Sequence, residues 1–410
     1  MSTDTEVIII GAGPAGISSA IKLEEIGVDY LLFDRDLKPS EEKPCAGFIP
    51  ISTINRLSIP TVSDQHMIDE VRLQFSGKEL STVKFDQPLG VNVSRGALGQ
   101  TMLSMTSSTD NHHLGTKITK VETNDELCRV TSRENDKESS FTAKIIIDAS
   151  GANPVSQRFI PLRPRISNSG MGYGLQYHIE LEEELSNSNT FLYGSQYSPS
   201  GYTWIFPRGK TAVFGTGGLV KRVRENKRKT HEYLDKILRE VEPFCSELSN
   251  GTIVKKDSAL MPLCGIVTPS YGKRIMLAGD AAGHCSPISG EGIHYSMVGG
   301  LIAAQVAASC VLKKDFSDKI LATYEKKWIK EIGSDLKWGH WLQTRLMKPG
   351  SKSTDKSSGT SGWSSSGFID SEKSLRIIAG MLMGEKSVRS SILSIAPGYL
   401  KSKISRKTDF

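Results

Sequence analysis

The chain is short of several things that would define a class at once. It has six cysteines in 410 residues, at positions 45, 128, 245, 264, 285 and 310, with no Cys-x-x-Cys pair. That excludes a disulfide scaffold and a zinc ribbon, gives no metal site, and points to free thiols in a reducing compartment. The 38 glycines follow no Gly-X-Y period, so the chain is not collagenous. The longest apolar run is Met297–Leu312, interrupted by Gln305. It falls short of the roughly 20 residues that span a bilayer. Val7–Ile10 is too short for a signal peptide and runs straight into glycines. No internal repeat and no RNA- or DNA-binding motif is visible, so nucleic acid is not an expected partner.

What is present is an ordinary globular composition: 38% hydrophobic, 23% charged and a net charge of +6. The length suits two to three domains. Short β-branched runs near residues 7, 31, 145 and 276 read as strands of one parallel sheet assembled from distant segments. Residues 170–220 alternate with glycine and serine turns, which reads as an antiparallel sheet. Residues 223–248 and Tyr324–Leu346 read as helical, and Pro349–Gly367 as a Ser/Gly-rich loop. The predicted fold is α/β: a Rossmann-like domain from residues 1–50, 90–160 and 268–312. An inserted antiparallel-sheet substrate domain takes 51–89 and 161–267, and a helical C-terminal region takes 313–410.

Gly11-Ala-Gly-Pro-Ala-Gly16 follows a strand and opens a helix. In that context Gly11 serves a tight turn and Gly13 admits a pyrophosphate to the backbone. Gly16 allows close helix–strand packing, and Pro14 and Ala15 start the helix whose N–H groups face the phosphates. Asp34, with Arg35 after it, ends the second strand, where a carboxylate accepts from ribose hydroxyls. A second glycine-rich segment, Leu277–Ile293, also joins a strand to a helix. Here Gly279-Asp280 offers a carboxylate to a ribityl hydroxyl. Gly290, Gly292 and Ile293 offer helix-start N–H groups to the pyrimidine edge of a flavin.

The second segment resembles the second FAD motif of the p-hydroxybenzoate-hydroxylase-like flavoproteins, and Val93-Ser-Arg-Gly-Ala-Leu98 resembles their arginine segment beside the cofactor. The resemblance implies a glutathione-reductase-type FAD domain, with Arg95 and Val121 among the cofactor-binding residues. Within that superfamily, Pro199-Ser-Gly-Tyr-Thr-Trp-Ile-Phe-Pro207 fits the PxxYxWxFP pattern of the geranylgeranyl reductases, and the chain is similar to their archaeal lipid-saturating branch. By that resemblance Tyr202, Trp204, Phe206 and Pro207 bind substrate. Lys43-Pro-Cys-Ala-Gly-Phe48 resembles the family loop that holds a cysteine near the flavin, so Cys45, Ala46 and Gly47 join the cofactor set. Ala46 stands where the family has glycine. Asp148-Ala-Ser-Gly151 carries Ser150 where aromatic hydroxylases have an aspartate for NADPH.

The implied reaction is saturation of C=C bonds in geranylgeranyl chains for membrane-lipid synthesis, with hydride from reduced flavin N5. Cys45, Tyr202 and Trp204 are the expected catalytic residues, and Cys45, Tyr202 or solvent is the expected proton source. His284 reads more readily as a structural histidine. With no second strand-linked Gly-x-Gly-x-x-Gly, the electron donor is either transiently bound NADPH or a ferredoxin-type protein. Basic residues at 221, 222, 224, 227, 228 and 229, with Lys401, Lys403, Arg406 and Lys407 beside apolar Ile392, Leu393, Ile395 and Leu400, offer a surface for anionic lipid. The alternative there is a packed C-terminal helix with a charged outer face. The expected location is cytoplasmic and peripheral, on the inner face of the cell membrane. Two other readings stay open: an FAD-dependent monooxygenase or halogenase of a small aromatic, and a non-catalytic flavin-bearing lipid carrier.

Overall fold

A computed structural model describes residues 3–346 and 371–394. The Ser/Gly-rich segment 349–367 and the C-terminal residues Ile395, Leu400, Lys401, Lys403, Arg406 and Lys407 lie outside the described residues.

The four sequence-predicted strands form one sheet. Val7–Ile10 runs parallel between Ile145–Asp148 on one side and Tyr30–Asp34 on the other. Ile275–Leu277 and His112–Leu114 extend the sheet outward, and a short antiparallel strand, Tyr271–Gly272, closes one edge. Both faces are covered, which is why these strands read as continuous apolar runs. Val7, Ile9, Leu32, Ile145 and Ile147 face a core shared with helices Pro14–Ile26 and Ile293–Lys313. Ile8, Ile10, Phe33 and Ile146 face a three-stranded antiparallel sheet of Lys117–Thr123, Cys128–Glu134 and Lys137–Ala143.

The two helices pack nearly backbone to backbone. A Cβ on Gly300 would lie 2.1 Å from the Ala15 carbonyl oxygen, and Ser19 Oγ donates to the carbonyls of both Ala15 and Gly300 at 2.9 Å. Helix Ile293–Lys313 extends the apolar run to 21 residues, long and apolar enough to cross a membrane. Of its most apolar window, 72% is buried inside the protein, which is the environment of a core helix.

A second, seven-stranded sheet has the order Thr252–Pro262, Met171–Glu180, Thr211–Leu219, Tyr202–Arg208, Ser188–Tyr193, Glu70–Phe75, Ser81–Lys84. It is antiparallel as expected except at one junction, where Ser188–Tyr193 runs parallel to Glu70–Phe75. Hairpins force antiparallel neighbours, and no hairpin joins strands more than 100 residues apart in sequence. Helix Thr230–Glu240 and Phe244–Leu248 cover one face through Leu234, Ile237 and Phe244. The helix Glu372–Leu382 packs Ile378, Ala379 and Leu382 against Val71, Phe75, Val83 and Phe206 on the other.

The C-terminal helices clamp the Rossmann core. Asp318–Trp328 and Ser334–Leu346 are joined by a π-helical turn at Ile329–Gly333. Tyr324 donates to the Leu277 carbonyl at 2.5 Å, and the Trp328 indole donates to Ser270 Oγ at 2.9 Å. All six cysteines are free thiols.

Candidate functional site

The first glycine motif lies at the carboxyl end of the central strand, where neighbouring strands diverge to either side and a crevice opens. A Cβ on Gly16 would lie 1.8 Å from the Gly11 carbonyl oxygen, and one on Gly11 2.6 Å from that of Ala149. Both glycines are therefore required by packing. Gly13 differs: a Cβ there meets nothing within 4 Å, so it borders open space at the helix start. Pro14 begins the helix, and a Cβ on Gly279 of the second motif would lie 3.0 Å from the Ala15 methyl. Asp34 ties the turn to the second strand, accepting from the Ala12 N–H at 2.6 Å and the Asp36 N–H at 2.9 Å. Burial pushes its carboxyl above the ordinary value. Arg35 turns to solvent and pairs with Asp36 at 3.7 Å, and the Val121 side chain is buried in the core under Ile8 and Phe33. Neither side chain points into the crevice wall built by the others.

That wall is completed by three further segments. Gly47, at φ +89°, lies where a Cβ would sit 1.9 Å from the Val93 carbonyl oxygen, which brings the Cys45 loop against the arginine segment. Arg95 opens the helix Arg95–Leu103, which Ser94 caps through the Ala97 N–H. The Arg95 Nε is buried without a partner among the described residues. Lys43 Nζ lies 3.4 Å from the position of a Cβ on Gly151. Burial pushes the Asp280 carboxyl up, opposed by the positive charges of Lys43 and Arg95. Gly292 lies beside Asp280, 3.6 Å from a Cβ position to Oδ1, and Ile293 starts the apolar helix. An open helix N-terminus, two cations with one orphaned buried N–H, and a carboxylate form the donor and acceptor set that a dinucleotide pyrophosphate and a polyol need. These residues fit FAD. Ser150 donates through N–H and hydroxyl to Asp148, so it serves the turn closing the strand.

The aromatic strand faces this crevice. Trp204 and Phe206 alternate with inward Thr203 and Ile205, as the two-residue period requires. Tyr202 packs 5.9 Å from Trp204 and 5.5 Å from both Phe191 and Tyr193; Phe191 packs 5.3 Å from Phe206. Ala46 packs against this cluster, so the methyl that replaces the family glycine is absorbed by the apolar wall. The Tyr202 hydroxyl donates to the Ser289 carbonyl, and Gly290 lies beside it, 3.6 Å from a Cβ position. Strand and flavin motif are thus tied directly. Burial pushes the Tyr202 phenol up, with the Cys285 and Cys45 charges adding to it, so this phenol holds its proton. Its geometry is that of a positioning group more than of an acid.

Trp204 lies flat over glycine. A Cβ on Gly215 would be 2.3 Å from its Cζ2, and one on Gly174 3.3 Å from its Cη2. Its Nε1 is buried and unpaired among the described residues. Pro207 is buried, and its carbonyl accepts from Asn92 Nδ2 at 2.7 Å, with Asn189 Oδ1 accepting from the same group at 2.8 Å.

The strand continues to Arg208, which sequence reasoning passed over although it extends the same alternation. Its guanidinium lies 3.8 Å from Asp64 and its pKa is pushed down by burial, opposed by the charges of Asp64, Cys45 and Asp257. Beside it His178 and Asp257 pair at 3.2 Å, and Lys255 bridges Asp257 at 3.7 Å to Glu42 at 2.7 Å. These come from two neighbouring strands and a distant loop, and no local motif announces them. Cys45 therefore sits between a polar patch and an aromatic one. His284 is wholly buried beneath Trp328, with ring centroids 4.7 Å apart and both nitrogens unpaired among the described residues; burial drops its pKa to about 3. That is a packed, neutral ring.

Comparison with known proteins agrees with this geometry. Residues 171–259 match the geranylgeranyl reductase catalytic domain, and residues 5–162 the pyridine nucleotide-disulphide oxidoreductase domain. The chain is 28% identical over 348 residues to a digeranylgeranylglycerophospholipid reductase of Methanococcus vannielii, covering 82% of this chain and 86% of that one. It is 27% identical over 347 residues to the protein so named in Methanocaldococcus jannaschii, covering 84% and 86%. Among solved structures, a geranylgeranyl bacteriochlorophyll reductase-like protein from Thermoplasma acidophilum superimposes with a TM-score of 0.80 at 20% identity, covering 97% of this chain and 98% of that one. The flavin-dependent halogenase CmlS superimposes with a TM-score of 0.70 at 17% identity, covering 100% and 78%.

Proposed function

We propose that the chain, an FAD-dependent oxidoreductase that matches the geranylgeranyl reductase catalytic domain over residues 171–259, saturates C=C bonds of geranylgeranyl chains in membrane-lipid biosynthesis, with a digeranylgeranyl glycerophospholipid as substrate. The observation that carries this reading is the aromatic wall of Tyr202, Trp204, Phe206, Phe191 and Tyr193, tied to the flavin motif at Ser289. Bound FAD supplies the two-electron reductant. The residues in position to hold it are Gly13, Asp34, Lys43, Arg95 and Asp280, with the helix starts at Pro14 and Ile293.

The work left to the protein follows from the substrate. An isolated alkene carries no carbonyl to polarise it, so orientation and dryness must lower the barrier. The wall offers a rigid apolar face, and the Tyr202 hydroxyl is spent on a backbone carbonyl, so it does not draw water. Arg208, Asp64 and His178 give the far end a polar floor near Cys45, suited to the end of the lipid that is not reduced.

Peripheral attachment to the inner face of the cell membrane is part of the proposal. Helix Val220–Glu225 and the loop after it present Lys221, Arg224, Lys227 and Lys229 at one surface, suited to anionic headgroups. Co-sedimentation with anionic vesicles that salt reverses supports it, and equal recovery with neutral vesicles overturns it.

The decisive experiment is anaerobic. The yellow protein is reduced with dithionite, freed of excess, and mixed with a geranylgeranyl lipid while flavin reoxidation and lipid mass are followed together. Reoxidation with two hydrogens gained per bond is the expected result. No reoxidation with prenyl lipids, but rapid turnover of an aromatic once oxygen enters, identifies a monooxygenase instead. A flavin that reacts with neither identifies a carrier. Repeating the reduction with NADPH and with a reduced ferredoxin distinguishes the two donor classes.

A further inference from the structure

Glu291 occupies the helix end that the second flavin motif offers to the cofactor. Its neighbours face the crevice: Gly290 lies beside Tyr202 and Gly292 beside Asp280. Its own side chain folds back onto the start of helix Ile293–Lys313, where Oε1 accepts from the His294 N–H at 2.6 Å. The Ile293 N–H also bonds to it. The positive end of a 21-residue helix is thus held by a carboxylate.

Behind that carboxylate lies a polar cavity of about 240 Å³, lined by Glu291, Ser286, Ser289, His294, Tyr295 and Asp335, with Lys386 on the C-terminal side. It is large enough to hold several waters and polar enough to keep them. Glu291 therefore has proton access from the side of the wall opposite the cofactor. The groups that face it are Cys285 on its own loop, His294 and Tyr295 on the helix, Asp335 and Lys386 across the cavity, and Tyr202 through Ser289. His294 is held neutral by burial, with a pKa near 4. Lys386 is the one cation of the set.

We propose that Glu291 is the group that binds a proton when the bound flavin is reduced. The inference rests on the FAD reading of the crevice and extends it. Two electrons and one proton enter the isoalloxazine, and a second proton passes from the cavity water to the Glu291 carboxylate. Two electrons and two protons are taken up in all, and both protons leave when the electrons leave. The physical reason is competition. Negative charge that grows on the flavin and negative charge on Glu291 draw on the same helix end, so each disfavours the other. Burial has already brought the Glu291 carboxyl up to about 7, where a small added repulsion changes its state at physiological pH. Linkage makes the effect reciprocal: the ionised carboxylate keeps the flavin more reducing, which an unactivated alkene requires.

The test is a redox titration of the holoenzyme. The midpoint potential of bound FAD is measured from about pH 5.5 to 8.5 in the wild type and in Glu291→Gln. Between about pH 7 and the raised pKa of Glu291 in the reduced state, the wild type takes up more protons per two electrons than the variant, by about half a proton for a tenfold linkage and up to one for a larger one. The two curves meet at the acid end and separate at the alkaline end, with the variant higher. A tenfold linkage corresponds to about 30 mV for a two-electron couple. Equal slopes, or a variant that lies lower at pH 8.5, overturn the proposal. Asp335→Asn keeps the wild-type slope; if it removes the extra proton instead, Asp335 is the site and Glu291 is not. If Glu291→Gln does not retain FAD, the wild type alone decides. Its reduced-minus-oxidised infrared spectrum near pH 8 gains a protonated-carboxyl band that shifts on 13C-glutamate labelling, and absence of that band overturns the proposal. A wild type that binds no flavin refutes the FAD reading itself, a result distinct from all of these.

Discussion

Gly215→Ala tests whether the placement of Trp204 governs turnover. In the native strand pair Trp204 lies opposite Gly215, and the indole rests where a side chain would be. The added methyl carbon would be 2.3 Å from Cζ2, 2.5 Å from Cε2 and 2.8 Å from Gln176 Cβ. Carbon atoms pack at roughly 3.5–4.0 Å, so the ring must shift by about 1 Å, away from the sheet and into the substrate space. Overpacking of this kind costs about 1–3 kcal/mol. For a chain of 410 residues that lowers Tm by roughly 1–4 °C. The same shift at a reacting centre lowers kcat by about 100-fold. The assay combines FAD content from absorbance, a thermal melt, and single-turnover reoxidation with a geranylgeranyl lipid. FAD content stays at the wild-type level because the crevice is untouched. Gly174→Ala, whose added carbon lies 3.3 Å from the same ring, has the smaller effect on both readouts. Trp204→Phe combined with Gly215→Ala regains most of the lost Tm, because the clashing Cζ2 is gone. A Gly215→Ala enzyme with unchanged Tm and kcat would refute the slot geometry. An unstable enzyme with wild-type kcat would show that the ring does not line the reaction space.

Three further outcomes are expected. Gly13→Ala leaves the Tm of the apoprotein unchanged, since the new methyl meets no protein atom within 4 Å, yet FAD affinity measured by fluorescence falls at least tenfold; unchanged affinity would show that no phosphate approaches Gly13. Stability falls as pH drops below about 6.5, because the unfolded chain protonates His284 and His294 there while burial holds the native rings neutral down to about 3 and 4. Each ring contributes up to about 1.4 kcal/mol per pH unit to this acid limb, so His284→Gln gives a visibly shallower slope in urea melts between pH 6.5 and 4.5, and an unchanged slope counts against it. Asn92→Ala leaves the buried Asn189 amide and the Pro207 carbonyl without their partner and costs about 2–3 kcal/mol of unfolding free energy in denaturant melts; a loss under about 0.5 kcal/mol would mean that water replaces the amide.

The cofactor half of the molecule was legible because its signals are local. A buried strand, three glycines at fixed spacing and a helix start occupy one stretch of chain, and the carboxylate that ties the turn, Asp34, ends the next strand. The aromatic wall was legible for the same reason: a two-residue period puts Tyr202, Trp204 and Phe206 on one face regardless of what lies opposite. What could not be read depends on distant partners. The strands Phe48–Pro50, His66–Ile68 and Gly90–Asn92 have three residues each and pair only with one another, so none of them carries a periodicity long enough to detect. His178 and Asp257 meet across two strands some eighty residues apart in sequence, and Asn92 meets Asn189 across the two sheets. The glycines under Trp204 are visible as glycines, but the sequence does not say which ring they admit. Glu291 lies within the second glycine-rich segment, but its importance lies in the direction its side chain takes, which no local pattern announces.

The wall belongs to the inserted sheet and the cradle to the Rossmann core, so catalysis depends on how the two are held together. The strand Tyr202–Arg208 is fastened to the core side at both ends. At its start the Tyr202 hydroxyl donates to the Ser289 carbonyl of the flavin motif. At its end the Pro207 carbonyl accepts from Asn92, and Arg208 reaches Asp64, whose carboxylate also accepts from the Ser94 N–H at 3.0 Å, one residue before Arg95. Trp204 and Phe206 lie between these anchors and inherit their position from them. A loop would not do this, since closure of a flexible segment leaves its side chains free to move. An extended seven-residue strand pinned at both ends leaves no such freedom. This accounts for the placement of the aromatic pattern on a strand of the inserted sheet: an alkene with no polar handle must be located by shape alone, and shape is only as fixed as the elements that carry it.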